Sequence, residues 1–265
     1  MPSPTAPMSA TQRLFACSIR SRATTGCNRS RWRLNLSETA FVLDTDDANV
    51  FGLRWFTPST EVDLCGHATL AAAHVLWESG TVEAGDQIRF DTRSGRLGCQ
   101  RAQEPGWIEM DFPARPPLEV AARSAEALLA EALGAEPVWI GRNVDDVYVL
   151  LDSEQAVRDL SPTLRKLGAI EARGVGVTAA ADGKSGIEGL DFVSRFFAPQ
   201  SGVDEDPVTG SAHTALAPFW AERLGKTDLI GYQASLRGGV VRMRLEGERV
   251  AIAGQAITVL EGRLR

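Results

Sequence analysis

Two short stretches of this 265-residue chain place small residues and titratable side chains directly before an apolar helix. The first is Cys65-Gly66-His67-Ala68, and the second is Thr209-Gly210-Ser211-Ala212, with Asp206 three residues upstream of it. The first N–H groups of a helix lack intrahelical partners and carry the positive end of its dipole. Because small residues leave these groups accessible, both stretches could bind a carboxylate or a developing oxyanion. An ordinary capped helix, with acids that complement the dipole, is the alternative.

Three side chains could carry the chemistry. Glu38 lies beside small polar residues at the start of a predicted strand, where it is either an acid/base group or a surface or capping glutamate. Cys65 at a helix N-terminus would have a lowered thiol pKa and could act as a nucleophile, although a small core cysteine fits equally well. Asp206 is either a second acid/base group or an N-terminal helix charge. His74 and His213 lie inside predicted helices and are interpreted as structural.

Both stretches belong to a longer internal repeat. Residues 54–80 and 195–225 each contain an arginine, two aromatic residues and a proline, then the small-residue stretch and a helix. When Gly66 is placed on Gly210, three alanines and a glutamate of the helices also coincide. Two strand–loop–helix units of one design indicate an internal duplication. Two similar domains would place their helix N-termini face to face across a cleft, where a ligand site is expected.

Hydrophobic periodicity predicts many short strands, with one buried helix in each half of the chain. Strands are predicted at 40–43, 50–57, 87–92, 96–101, 107–112, 137–141, 146–151, 174–179, 190–198, 239–245, 249–253 and 256–261, and further helices at 123–133 and 154–167. This pattern indicates an α+β fold, not an alternating parallel sheet. We assign a first domain to 35–113, which the last strand near 256–265 could join, a linker to 114–117 and a second domain to 118–255.

Composition and missing motifs exclude several classes of function. The net charge of −6 argues against a nucleic-acid surface, and no 18-residue apolar run predicts a membrane span. There is no Gly-rich phosphate loop after a strand and no GxGxxG motif, so we expect no nucleotide cofactor. The four cysteines and three histidines show neither metal-ligand spacing nor a disulfide framework. The sequence therefore predicts a cytoplasmic protein without metal or cofactor.

Three motifs resemble the phenazine-biosynthesis PhzF-like family, whose fold is shared with diaminopimelate epimerase. They are SETAFVL at 37–43, the CGHAT helix start at 65–69 and EDPVTGSAHTALAPFWAERLGK at 205–226. The resemblance covers the chain from about residue 35 to its end. It implies two pseudo-symmetric domains, each a mixed β-sheet or barrel wrapped around a central helix, and a homodimer. It also implies a cofactor-independent isomerase or epimerase that moves a proton on a small carboxylate-bearing substrate.

The same resemblance assigns roles to individual residues. The family's catalytic glutamate corresponds to Glu38, its Gly-His pair to Gly66 and His67, its motif aspartate to Asp206, and its helix-start pair to Gly210 and Ser211. A carboxylate enclosed between two domains gains a suitable pKa through desolvation, and the helix N–H groups can hold the substrate carboxylate and the enolate-like charge. Racemases of this fold use two cysteines. Because the counterpart of Cys65 is Thr209, we expect Glu38-based isomerisation.

The N-terminal segment, residues 1–34, departs from the family pattern, which begins with a strand and a Gly-Asn-Pro turn. Residues 1–37 contain six arginines, six serines and no acidic residue. The segment could be a transit peptide, a basic arm or the product of a shifted reading frame, and the abrupt start of the family pattern at Asn35 favours the last. Because a missing first strand would damage the site, a catalytically impaired or non-catalytic small-molecule-binding protein is the alternative function. A cysteine hydrolase that uses Cys65 and His67 is a third hypothesis.

Overall fold

A computed structural model describes residues 16–17, 38–57, 60–120 and 123–262 of the chain. Its strands are β1 (Ala16–Cys17), β2 (Thr39–Asp44), β3 (Val50–Phe56), β4 (Glu61–Val62), β5 (Ile88–Thr92), β6 (Gly95–Arg101), β7 (Trp107–Pro113), β8 (Leu118–Glu119), β9 (Trp139–Arg142), β10 (Asp146–Leu150), β11 (Gly174–Ala180), β12 (Phe192–Phe197), β13 (Asp228–Gln233), β14 (Gly239–Glu246) and β15 (Arg249–Gln255). Its helices are α1 (Gly66–Glu78), α2 (Arg123–Leu133), α3 (Glu154–Arg158), α4 (Leu164–Leu167) and α5 (Gly210–Leu224), with a 3₁₀ turn at Pro199–Ser201. The predicted α+β class is confirmed.

The sheet contains two runs of strands with the same order and direction. They are β1–β2–β3–β5–β6–β7 and β10–β11–β12–β13–β14–β15, and β7 pairs with β15 where the runs meet. In each run the first and third pairings are parallel and the other three are antiparallel. Helix α1 is the crossover between β3 and β5, and α5 is the crossover between β12 and β13. The two halves are therefore pseudo-symmetric, as the internal repeat predicts.

One ion pair recurs in both halves. Arg54 donates to Glu61 at 2.7 and 2.6 Å, and Arg195, its counterpart in the repeat, donates to Glu205 at 2.7 and 2.9 Å. Each guanidinium also lies over the second aromatic ring of its motif, at 5.2 and 4.9 Å from the ring centroid. Each pair joins the strand before a central helix to a glutamate that lies five residues before the helix begins.

The central helices are buried on nearly every side. Ten of the thirteen residues of α1 are buried, which explains why its sequence is apolar and small all round and not amphipathic. A single core cluster contains Phe90 and Phe112 from the first half and Phe192 and Val241 from the second. A second cluster lies between the outer face of β10–β12 and helices α2 to α4. The core that supports the two central helices is thus shared between the halves.

Two predicted elements differ from the structure, and strand β13 was missed. The helix predicted over 154–167 is two short helices, because Pro162 lacks an N–H donor and keeps its preceding residue out of the helical region. The strand predicted near 256–261 is wrong: residues 256–262 form no strand, because β15 ends at Gln255, opposite Trp107, the first residue of its partner β7. Strand β13 was not predicted because its buried face includes Gly231 and Gln233, which break the hydrophobic alternation.

The N-terminal segment lies outside the described residues except for β1. That strand pairs in parallel with β2, in the place that β10 has beside β11 in the second half. The three interpretations of residues 1–34 and the domain bounds stay predictions. No helix in the described ranges is long and apolar enough to cross a membrane.

Candidate active site

The N-termini of α1 and α5 meet head to head at two glycines. Cys65 and Thr209 occupy the equivalent N-cap positions, both with extended backbone. A Cβ atom added to Gly66 would lie 3.0 Å from the Cα atom of Gly210, and the converse distance is also 3.0 Å. Only glycine allows this approach without displacement of backbone. The positive ends of two helix dipoles therefore point at one place between the halves of the chain.

Glu38 and His67 form the central contact of the site. The Nε2 atom of His67 lies 2.9 Å from Oε2 of Glu38 and 3.5 Å from Sγ of Cys65. The Nδ1 atom of the same ring lies 3.1 Å from the carbonyl oxygen of Val208, in the loop before α5. His67 is thus held between the two halves, with one ring nitrogen toward each.

The protonation of this cluster follows from its burial and its charges. Burial disfavours the imidazolium, but Cys65, Glu38 and Asp206 outweigh burial and raise the pKa of His67 well above its usual value. A doubly protonated ring donates from Nε2 to Sγ of Cys65 and from Nδ1 to the Val208 carbonyl oxygen, and it forms an ion pair with Glu38 through Nε2. Burial also raises the pKa of the Cys65 thiol, with Glu38 contributing against the opposing effect of His67. The expected lowering of the Cys65 pKa by the helix dipole is therefore wrong.

Asp206 lies on the other side of His67 and is buried. Its Oδ2 atom accepts a 2.5 Å hydrogen bond from Thr209 Oγ1, and its Oδ1 atom lies 4.0 Å from Nδ1 of His67. Within the described chain, that Oδ1 atom has no hydrogen-bond partner. Burial raises the pKa of Asp206, with a further contribution from Glu38, while His67 opposes the shift.

Gln233 fixes the loop that carries Asp206, and it is not among the residues predicted for the site. Its Oε1 atom accepts from the backbone N–H of Thr209 at 2.7 Å. Its amide donates to the carbonyl oxygen of Asp206 at 2.6 Å and to Thr209 Oγ1 at 3.1 Å. A fully buried glutamine with these three bonds holds the Asp206 carboxylate and the α5 N-terminus in one geometry. No motif in the sequence marks it.

All eight site residues predicted from the sequence line one cavity of about 80 Å³. They are Glu38, Cys65, Gly66, His67, Asp206, Thr209, Gly210 and Ser211. Arg173 lines the same cavity and was also missed, although its place just before a β-branched strand resembles that of Glu38. The structure brings the predicted residues together, and their individual roles stay predictions.

Three donor atoms in the cavity could be considered as metal ligands. Those of Glu38, Cys65 and His67 lie within 4.8 Å of one another. Two ligands of a tetrahedral zinc ion would be about 3.3 Å apart, given metal–ligand distances of about 2.0–2.2 Å. The 2.9 Å contact between Glu38 and His67 is instead that of an ion pair.

The two remaining histidines lie within the central helices. His213 is fully buried in α5, where Nδ1 lies 2.7 Å from the Thr209 carbonyl oxygen and the ring packs near Phe192. Burial lowers the pKa of His213 to about 4, so the ring is neutral. His74 is partly buried in α1, with Nε2 at 3.5 Å from Glu78.

Comparison of the sequence with known proteins identifies a matching protein family. A model of the phenazine biosynthesis-like protein family PhzC-PhzF matches residues 32–262. An uncharacterized isomerase of Pseudomonas aeruginosa is 52% identical over 231 residues, which are 87% of this chain and 83% of that protein.

Two solved structures show the similarity of fold. A phenazine biosynthesis protein of the PhzF family from Enterococcus faecalis superposes with a TM-score of 0.82 at 33% identity, over 94% of this chain and 92% of that one. A hydroxyproline epimerase of Agrobacterium vitis has a TM-score of 0.56 at 12% identity, over 89% and 79% of the two chains. The second similarity concerns the fold alone.

Proposed function

Because this chain belongs to the phenazine biosynthesis-like (PhzC-PhzF) family, which includes proteins named isomerases, we propose that it is a cofactor-independent isomerase that moves a proton on a small carboxylate-bearing molecule. Glu38 is the general acid/base. The observation that carries this proposal is the 2.9 Å contact between Glu38 and His67 beside two converging helix N-termini.

The helix N-termini supply the electrostatic part of the reaction. Removal of a proton from carbon beside a carboxylate leaves enolate-like negative charge on the substrate. The N–H groups at Gly66–His67 and Gly210–Ser211 can hold the carboxylate and that charge, since they point into the same cavity as Glu38. Such fixed donors in a buried site lower the barrier without reorganisation during the reaction.

His67 and Asp206 assist the movement of the proton. Imidazolium beside Glu38 favours the carboxylate form of the glutamate, which is the form that accepts a proton from carbon. After the transfer Glu38 is neutral, and the same group can return the proton at another carbon of the substrate. Asp206 stabilises the imidazolium during this proton transfer. Its pKa is raised, and its Oδ1 atom lies 4.0 Å from Nδ1 of His67.

Two other functions make different demands on the site. A cysteine hydrolase needs a thiolate, and burial raises the pKa of Cys65, so the thiol stays protonated near neutral pH. A non-catalytic binding protein needs no acid/base group, yet here two carboxyl groups and an imidazole are enclosed in a cavity of about 80 Å³. Enclosing three titratable groups costs folding free energy, which favours a catalytic use.

Deuterium incorporation tests the proposal. In D₂O, the protein incubated with a panel of cyclic and amino-acid carboxylates should exchange a C–H proton of at least one compound, followed by NMR. Glu38→Gln should reduce that exchange by at least about a hundredfold, since it removes the acid/base group. The matched control is Glu83→Gln, on an exposed turn, which should exchange at the wild-type rate.

The outcomes separate the three functions. Exchange that survives Glu38→Gln would remove Glu38 as the base. Activity that is abolished by a thiol-alkylating agent but not by Glu38→Gln would instead indicate a cysteine hydrolase. Compounds that bind to the protein without any exchange would indicate the non-catalytic alternative.

Assembly and location are proposed from the family resemblance and the composition. A homodimer follows from the family resemblance, and a cytoplasmic location without nucleic-acid or membrane partners follows from the composition. Sedimentation analysis would give the mass of the assembly, to be compared with 28.5 kDa for one chain.

A further inference from the structure

Arg173 brings a positive charge to the cavity that holds two carboxyl groups. It lies directly before β11, and among the described residues that line the cavity it is the single arginine or lysine. Glu38 and Asp206 repel an anionic molecule that enters, against the attraction of the His67 imidazolium and the helix N-termini. The guanidinium is therefore placed where it offsets that repulsion.

The guanidinium of Arg173 is held in one orientation by a buried ion pair with Asp146. Its Nε atom donates to Oδ1 of Asp146 at 2.9 Å, and Nη2 donates to Oδ2 of the same carboxylate. Asp146 is 1% exposed and also accepts from the hydroxyl of Tyr148 at 3.3 Å. The amide side chain of Asn143 accepts from the backbone N–H of Asp146 at 2.8 Å. A buried two-point pair of this kind preorganises the remaining donors of Arg173.

Those remaining donors face the cavity. Nη2 of Arg173 donates to Ser211 Oγ at 3.0 Å, in the first turn of α5. Nη1 makes no hydrogen bond with any residue in the described part of the chain, and the side chain is 36% exposed. A fixed cation with an unused pair of N–H donors on a cavity wall is suited to a planar anion such as a carboxylate.

The internal repeat places Arg173 one residue before the counterpart of Glu38. With Arg54 placed on Arg195, β2 corresponds to β11 and Glu38 corresponds to Gly174, the residue after Arg173. The repeat also places His67 on Ser211, because both directly follow the helix glycines.

The two halves thus make similar contacts, one residue apart in register and with different chemistry. In the first half, Glu38 precedes β2 and contacts His67, the residue after the helix glycine. The distance from Oε2 of Glu38 to Nε2 of His67 is 2.9 Å. In the second half, Arg173 precedes β11 and contacts Ser211, the residue after the other helix glycine. Nη2 of Arg173 donates to Oγ of Ser211 at 3.0 Å. A substrate centred on the helix junction therefore meets an acid/base group on one flank and a cation on the other.

We infer that Arg173 and Ser211 form a subsite for a second anionic group of the substrate, so that the substrate is a small dicarboxylate. This inference rests on the proposed function, in which the first carboxylate lies at the helix N-termini. The first carboxylate directs the reacting carbon toward Glu38, and the second anchors the far end of the molecule on Arg173.

Calorimetric titration with matched ligands tests the subsite. Succinate carries two carboxylates, and its monoamide, succinamate, has the same size and one carboxylate fewer. Wild-type protein should bind succinate at least about tenfold more tightly, the effect expected for one charge-assisted hydrogen-bonded contact. Malonate and glutarate with their monoamides extend the comparison to shorter and longer molecules.

Variants assign the preference to Arg173. Arg173→Met alone would leave Asp146 as an unpaired buried charge and could prevent folding, so the decisive variant is Asp146→Asn with Arg173→Met. It should bind each dicarboxylate and its monoamide equally, with circular dichroism to confirm the fold. The matched control is Arg115→Met, which removes a similarly exposed arginine from the neighbouring pair with Asp145, outside the cavity lining, and should keep the wild-type preference.

Two results would overturn the inference. One is wild-type protein without a preference for any dicarboxylate over its monoamide. The other is an Asp146→Asn, Arg173→Met variant that keeps the preference. Glu38→Gln, measured in parallel, should retain it, because binding at Arg173 does not require proton transfer. Failure of the proposed reaction, seen in deuterium exchange, is thereby distinguished from failure of the subsite.

Discussion

His67 and His213 are both buried, but the ring of His67 is positively charged and the ring of His213 is neutral. Both imidazoles lie in the first turns of the central helices and are buried. His67 faces three acidic groups, which outweigh burial and raise its pKa, whereas His213 faces a backbone carbonyl and Phe192 and its pKa falls to about 4. At the scale of single residues, the neighbours, not burial, decide which imidazole is charged.

The lowered pKa of His213 predicts a loss of stability in acid. Between about pH 6.5 and pH 4 the unfolded chain binds a proton at this residue and the folded chain does not, so stability falls as the pH falls. With a folded pKa of about 4 and an ordinary value of 6.5, the contribution is about 3 kcal/mol in full. His213→Leu should lose about 2–3 kcal/mol less stability than wild type between about pH 7 and pH 4.5, as measured by urea unfolding. An unchanged pH dependence in the variant would contradict the assignment.

The arrangement of elements depends on the close approach of α1 and α5. Each helix is preceded by an arginine–glutamate pair that recurs in both halves. The two helices then touch at Gly66 and Gly210, where no side chain separates their backbones. This contact brings the N–H groups of two helix N-termini to one anion-binding position. Its main effect is therefore on the site and not on the core.

A methyl group at the junction should separate the helices. Gly66→Ala places a Cβ atom 3.0 Å from the Cα atom of Gly210, and backbone must move to relieve the contact. We expect a loss of about 1–3 kcal/mol in stability and weaker binding of carboxylates, measured by urea unfolding and by calorimetry. Gly85→Ala is the control, because a Cβ atom there meets nothing within 4 Å and the backbone is not left-handed. Equal behaviour of the two variants would show that the junction tolerates a side chain.

At the scale of the whole molecule, the two halves are joined along β7 and β15. These strands pair antiparallel over their full length, from Arg249 opposite Pro113 to Gln255 opposite Trp107. Beneath them, one apolar cluster contains residues of both central helices and of both runs of strands. The cavity lies between the halves, so its geometry depends on both being folded.

The shared core predicts that the halves unfold together. Differential scanning calorimetry should show one transition, with equal calorimetric and van't Hoff enthalpies, because exposing either half would also expose the apolar cluster of the other. A ligand such as succinate should raise the temperature of that single transition. Two separated transitions would contradict this prediction and would mean that each half has a core of its own.

The sequence by itself determined the repeat, the α+β class and eight residues that line one cavity. The repeated motifs in residues 54–80 and 195–225 identify two equivalent helix starts, and equivalent elements of a duplicated fold meet near the pseudo-symmetry axis. Regular elements with a clear period, such as α5 with its left-handed cap at Gly225, follow from local propensity. Both signals are local in the chain, which is why sequence was sufficient to find them.

Tertiary structure alone decided the charges and the residues that support the site. Burial and neighbours from distant strands raise the pKa of Cys65, although its place at a helix N-terminus predicted the opposite. Gln233 and Arg173 reach the site from β13 and from the loop before β11, through contacts that no spacing in the sequence encodes. The strand predicted near 256–261 failed for the same reason: its continuation depends on a partner strand, and β7 begins at Trp107, opposite Gln255.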